Sequence, residues 1–394
     1  MKTRRHRRHL WFGAVVLVGS LVVATQQAGA TAPRHEAPAG VSSPSSARTL
    51  LGVSAVSGSN AWAVGFTDRS GRPRTSLIEH WDGTRWTVSP SPRLQTDKWL
   101  GGVSAASSDN AWAVGGDYVG SQVYGTLIEH WDGTSWTIAP SPNPGTFQSG
   151  LDGVAIISPT DAWAVGAYSD SGSEGKTLIE HWDGATWTQV PSPNADGASN
   201  LSAVSAVSAT DIWAVGSYRT GMYTDSSLIE HWDGTSWTVV PSANPTGDTI
   251  VELASVSAVS GQDAWAVGNT YDGITGGTIV EHWDGSTWTK VPSWNAGTTT
   301  RLQGVSAISA TDAWAVGSYD TNNQSEIIYG TLIEHWDGTT WTKVPSPDPA
   351  AHGNILYGVS ATSPTKAFAA GRSQTADTYK PLTERWNGAT WRRR

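Results

Sequence analysis

The sequence has 394 residues, 25 Lys plus Arg against 34 Asp plus Glu, and no cysteine. The missing thiol excludes disulfides, cysteine nucleophiles and cysteine-ligated zinc or iron–sulfur centres. Charged residues make up only 15%, below the about 25% of an ordinary domain, yet 23 tryptophans carry too much apolar surface for a disordered chain, and 43 glycines with 20 prolines interrupt any long helix.

In chain order, the first feature is an export signal. Lys2, Arg4, Arg5, Arg7 and Arg8 form a basic start, residues 10–24 are an apolar run, and Ala28-Gly29-Ala30 is a small-residue cleavage site. The apolar run is shorter than the roughly 20 residues that span a bilayer. Cleavage after Ala30 and secretion to the extracellular space are therefore expected, with an uncleaved anchor as the alternative. No second apolar run follows, so no membrane insertion is expected after cleavage. Residues 31–47 are rich in Pro, Ser and Ala and read as a flexible leader. Without residues 1–30 the chain has 20 basic and 34 acidic residues, a net −14. That sign argues against nucleic acid or an anionic membrane as a partner.

From residue 48 onward the chain repeats. WAVG begins at Trp62, Trp112, Trp163, Trp213, Trp265 and Trp314, with FAAG at Phe368, in steps of 49 to 54 residues. EHWDG centres on Trp81, Trp131, Trp182, Trp232, Trp283 and Trp336, with a degenerate copy at Trp386. A further tryptophan follows five residues later each time, from Trp86 to Trp391. Each unit holds four short strand candidates, in the second unit 102–107, 111–115, 126–131 and 135–139. Asp132-Gly133 signals the turn between the last two, and Asp109-Asn110 the turn between the first two. Short antiparallel strands repeated at this period mean a propeller. The fold expected is all-β, a seven-bladed β-propeller of four-stranded antiparallel blades over 48–394. Small first strands would converge on the axis, and the tryptophans would fill the space where the blades diverge.

The unit resembles a kelch repeat, in which the second strand ends in Gly-Gly, the third carries a Tyr before an acidic turn and the fourth a Trp. Gly65, Gly115, Gly166, Gly216, Gly268 and Gly317 match the first glycine, and only Gly115-Gly116 has both. Trp81 and its equivalents stand in place of the Tyr, and Trp86 and its equivalents match the fourth-strand Trp. The units are also similar to secreted bacterial repeat proteins with WAVG and HWDG strings. The resemblance implies the fold; propellers host many unrelated activities. Galactose oxidase shares this kind of propeller, but its copper site needs a Tyr cross-linked to a Cys, which is absent here. Sialidases need three arginines around a carboxylate, and no such set stands out.

Glu79-His80 with Asp82, repeated in six units, invites a metal or acid–base reading. One copy per blade fits a structural hydrogen bond better, since a catalytic site needs one constellation. The Asp-Gly-x-x-Trp string resembles the Asp-box of sialidase propellers, but its Asp-to-Gly spacing is one residue short, which leaves a turn. No catalytic residue, metal ligand or cofactor is assigned. Binding residues are sought where the repeat breaks, in the second-to-third-strand loops and blade connections that share one face. Trp99 and Trp294, expected in blade connections, and Tyr118, Tyr168, Tyr218, Tyr271 and Tyr319, which follow the second strands, form the candidate set, with Arg219 and Arg301 as polar handles. Arg69, Arg72, Arg74, Asp97, Lys98, Asp225 and Asn323 add to that face. Such a face could stack on sugars or grip a peptide. The reading favoured is a monomeric, non-catalytic extracellular module for a carbohydrate or protein ligand. The alternatives are a glycoside-hydrolase type of enzyme on the same scaffold, which needs only two carboxylates, and a passive surface or matrix protein.

Overall fold

The computed structural model describes residues 46–394 apart from 119–122, 172, 196, 246–249, 297–298, 321–327, 351 and 377. The export signal, nearly all of the leader and Asn323 lie outside the described residues. Within them the chain forms 28 strands and no helix. Consecutive strands pair antiparallel in sets of four, at 47–88, 98–139, 148–189, 199–239, 250–290, 300–343 and 354–393, called units one to seven below. Single parallel bridges, Tyr124 with Gln148 and Asp225 with Ile250, join units two and three and units four and five into eight-stranded sheets.

Every first strand carries a β-bulge directly after its leucine, and all but that of unit two have a second irregularity near the turn into the second strand. In unit one Leu50 opposes Gly65 and Gly52 opposes Val64, which leaves Leu51 unpaired, and the other six units repeat the irregularity. The WAVG glycine sits opposite the bulge. A Cβ on Gly166 would lie 2.0 Å from the Gly150 carbonyl oxygen, so the backbones come too close for any side chain.

The first strands also crowd one another. A Cβ on Gly102 would meet the Asp152 carbonyl at 2.6 Å, and one on Gly153 the Ala203 Cα at 2.9 Å. Small residues here let the units converge. Serines then tie neighbours together around the axis. The hydroxyls of Ser54, Ser104, Ser205, Ser257, Ser306 and Ser360 accept the backbone N–H of Ala105, Ile156, Ala258, Ala307, Ala361 and Ala55, at 3.0–3.2 Å. The last of these joins unit seven to unit one and closes the ring. Units three and four lack the bond because Ala155 stands where the others have Ser.

Further from the axis, aromatic side chains fill the gap between units. Trp62 stacks on His80 of its own unit at 4.2 Å and meets Trp131 at 4.9 Å and Trp136, edge-on, at 5.1 Å in the next. The same four-residue junction recurs around Trp112, Trp163, Trp213, Trp265 and Trp314. Where unit seven meets unit one, Phe368 and Arg385 replace the Trp and His. Phe368 packs on Trp81 and Trp86, and the Arg385 guanidinium lies over Trp81 and donates to the Gly58 carbonyl at 3.0 Å.

Candidate functional site

The repeated Glu-His-Asp string divides into three separate structural jobs. The His Nε2 meets Oδ1 of Asn60, Asn110, Asp161, Asp211, Asp263 or Asp312 in its own unit at 2.7–3.0 Å. The Asp closes the tight turn. Asp132 Oδ1 accepts the Thr134 hydroxyl at 2.6 Å and the Ser135 and Thr134 N–H at 2.8 Å, Gly133 takes the left-handed φ of 93°, and these bonds, the hydroxyl's first, hold the carboxyl down to about 2. Among the described residues no group of three or more His, Asp or Glu is placed to hold a metal ion.

The Glu points the other way, into the preceding unit. Glu281 accepts from Ser242 Oγ at 2.8 Å and the Ala243 N–H at 3.1 Å, and Glu334 from the Trp294 N–H at 3.0 Å. By repeat equivalence Glu180, Glu230 and Glu384 face Pro142, Pro193 and Pro347, and proline has no N–H to give. Neither oxygen of these three carboxyls has a partner, and burial pushes each up to about 8. Glu129 also faces a proline, Pro92, but here Lys98 stands in, 3.6 Å from the carboxylate, with its ammonium donating to the Pro92 carbonyl.

This arrangement sets a pH dependence. A carboxyl raised from about 4.5 to about 8 keeps its proton in the folded chain after the unfolded chain has lost it. Its stabilisation is full below about 4.5 and is lost as pH rises through about 8. The melting temperature should therefore fall between pH 5 and 9. The triple variant Glu180→Gln, Glu230→Gln, Glu384→Gln should flatten that slope. An equally steep slope in the variant would remove these carboxyls as its cause.

A large concavity among the described residues lies on the axis, open on the face where the first strands begin. Its volume is about 630 Å³. All seven bulge residues line it: Leu51, Gly101, Asp152, Ser202, Ala254, Gln303 and Tyr357. The bulge is the device that sends them there, because one unpaired residue per first strand is turned out of the sheet's alternation. The cavity extends outward between units three and four, along Gln148, Tyr168, Asp170, Asn200 and Arg219. It thus widens at the junction that lacks the serine bond. Asp152 has no charged neighbour, and burial alone pushes it up to about 7. Glu252 is raised by burial and by Asp225, against Arg301. Arg219 pairs with Asp225 at 3.6 Å.

Of the residues singled out from sequence, Tyr168, Arg219 and Asp225 line this cavity, whereas Trp99, Trp294, Tyr118, Tyr218, Tyr271, Tyr319 and Arg301 do not. Trp99 needs a correction. It lies in the first strand of unit two (Lys98–Ala105), not in a connection, because its backbone pairs with Gly116. Its indole covers that glycine, where a Cβ would come within 2.4 Å of the ring, and meets Tyr124 edge-on at 5.8 Å. Tyr124 in turn meets Tyr118 at 4.9 Å. Trp294 does lie between strands, edge-on to Tyr319 at 5.1 Å. The Lys343 ammonium sits over both rings, 4.0 Å from Trp294 and 3.7 Å from Tyr319, in a cation–π contact. Tyr218 packs against the core between units three and four. Tyr271 is 40% exposed, its hydroxyl donating to the Gly273 carbonyl at 2.9 Å. Arg301 is half-buried and acts electrostatically on Glu252 and Tyr357.

The axial residues were missed, although a signal for them exists. Every unit reads Leu-x-small-Val at the start of its first strand, and x is a different residue in all seven.

Solved structures resemble this chain over most of its length. YCF48 bound to a D1 peptide is 14% identical, with 84% of this chain and 95% of that one covered and a TM-score of 0.50. The GH74 xyloglucanase of Xanthomonas campestris is 13% identical, covering 87% of this chain and 54% of its own, at 0.56. A PL25 ulvan lyase bound to -[GlcA(1-4)Rha3S]- is 9% identical, covering 89% and 96%, at 0.55. The fold is a β-propeller. At these identities the likeness carries the propeller and nothing of the chemistry. No protein-family model matches the sequence, and no curated protein does.

Proposed function

We propose that this chain is an exported seven-bladed propeller of divergent kelch type that binds an extracellular ligand in its axial cavity without turning it over. One observation carries the reading. Seven near-identical units each direct one residue to the axis, and those seven residues differ while the Leu and Val around them do not. A passive matrix repeat has no use for such variation. The ligand class is carbohydrate or peptide. The propellers of similar fold include one bound to a peptide and one bound to a saccharide, and a 630 Å³ cavity holds a ligand of two or three residues or sugars.

A glycan and peptide array with the wild type and Ser202→Trp tests this. The added indole should plug the cavity, abolish the array signal and leave the melting temperature unchanged. Undiminished capture by the plugged variant would move the binding site off the axis.

One observation favours a hydrolytic alternative. Asp152, held at about 7, shares the cavity wall with Glu252, and two carboxyls are all that a glycosidase needs. Release of reducing sugar by wild type and not by Asp152→Asn would select it.

A further inference from the structure

Resting on that reading, we propose that the axial cavity selects a ligand bearing a primary ammonium group, with the Asp152 carboxyl as its counter-ion. The cavity wall holds carboxyls that no side chain of the wall engages. Asp152 is the one carboxyl among the seven bulge side chains and has no hydrogen bond or ion pair among the described residues. Glu252 likewise has no side-chain hydrogen bond there, and Asn269 Oδ1 is buried in the wall without a partner. Gln148, on the same strand as Asp152, lines the cavity at 8% exposure, again with no side-chain hydrogen bond among the described residues. The guanidinium of Arg219, the cation of the wall, is engaged by Asp225.

An ammonium group offers three donors, no acceptor and a positive charge, the complement of the unpartnered Asp152 and Glu252 carboxyls. Asp152 is half-buried in the cavity wall without a partner, and an ammonium at contact distance would offset the cost of ionising it there. Gln148 lies four residues from Asp152, roughly 13 Å along the strand, so the ligand's neutral body has a second contact near the rim.

The proposal also predicts how binding follows pH. The strands packed on either side bring Gly101, Gly102, Ser202 and Ala203 against Asp152, none of them charged. The strands of unit two carry Lys98, Asp117, Tyr118, Tyr124, Glu129 and His130, and the second and third strands of unit three Asp161, Tyr168, Lys176, Glu180 and His181. None of these contributes to the Asp152 environment. Glu252 and Tyr357 line the cavity beyond, with Asp170, Glu174, Arg219 and Asp225 also on its wall. Asp152 must ionise to hold a cation, so affinity should rise from pH 5.5 to 8, with proton release on binding.

The test is calorimetric titration of the exported protein with acetyl-Gly-Lys-Gly-amide and with a glucosamine disaccharide, each beside its N-acetylated form. At least one ammonium form should bind tenfold or more tightly than its acetylated counterpart. Asp152→Asn should erase that difference and melt like wild type. The tighter of the two arms tells whether a lysine side chain or an amino sugar supplies the group. Equal binding of acetylated forms, a flat or falling pH profile, or no binding of either ammonium probe would overturn the proposal. If neutral saccharides bind and Ser202→Trp abolishes that binding, the ammonium inference fails alone. If Ser202→Trp leaves all array binding intact, the axial reading fails with it.

Discussion

Replacing Trp213 by alanine should destabilise the propeller by roughly 3–5 kcal/mol, the cost of removing a buried large aromatic. Trp213 is 2% exposed and joins two units. It stacks on His231 at 4.2 Å within unit four and reaches Trp283 at 4.9 Å and Trp288 at 5.2 Å in unit five. The closed ring gives the hole little room to collapse, since each unit is held on both sides. Trp131 and Trp182, equally prominent in the repeat, are only half-buried, and their indole N–H groups donate to the Ser108 and Pro159 carbonyls. Their loss should cost less. Tyr223, 79% exposed at a hairpin tip, serves as the control that should change nothing. Urea unfolding followed by far-ultraviolet circular dichroism measures all four. A Trp213→Ala midpoint matching that of Tyr223→Ala would mean that the junctions do not carry the ring.

Two glycines in contact across unit three should respond in opposite ways to the same added methyl. A Cβ on Gly166 would meet the Gly150 carbonyl oxygen at 2.0 Å and the Leu151 Cα at 2.8 Å, all of it backbone. Gly166→Ala must push the bulge apart and should cost about 3 kcal/mol or more. A Cβ on Gly150 meets nothing within 4 Å, so Gly150→Ala should be tolerated within about 0.5 kcal/mol. Because the bulge aims Asp152 at the axis, Gly166→Ala should also weaken any ligand captured by the cavity. Thermal melts of the two variants decide the matter. Equal melting temperatures would show that the strands part easily and that the bulge is not enforced by the glycine.

The strands, their turns and their order were legible from sequence because each unit repeats the same local chemistry. Asp-Gly marks a turn through a carboxylate that caps two backbone N–H groups, and WAVG marks a strand whose glycine must face a bulge. Alternation and turn residues act over a few positions, so seven copies of one pattern report them seven times. What a residue meets in the neighbouring unit is a different matter. Trp99 and Trp294 stood out because they break the repeat, yet strand pairing within unit two sets Gly116 under one indole and the packing of unit six sets Lys343 over the other. Glu180 and Glu281 are the same letter in the same string. Only the packing of units shows that Pro142 denies the first a donor while Ala243 supplies one to the second. The axial cavity depends on the fold most of all. The unpaired residue after the leucine of each first strand shifts the side-chain alternation by one, so a period-two reading places Asp152, Ser202 and Gln303 on no particular face. Closure of the ring then brings seven such residues, some 50 positions apart in the chain, onto one wall.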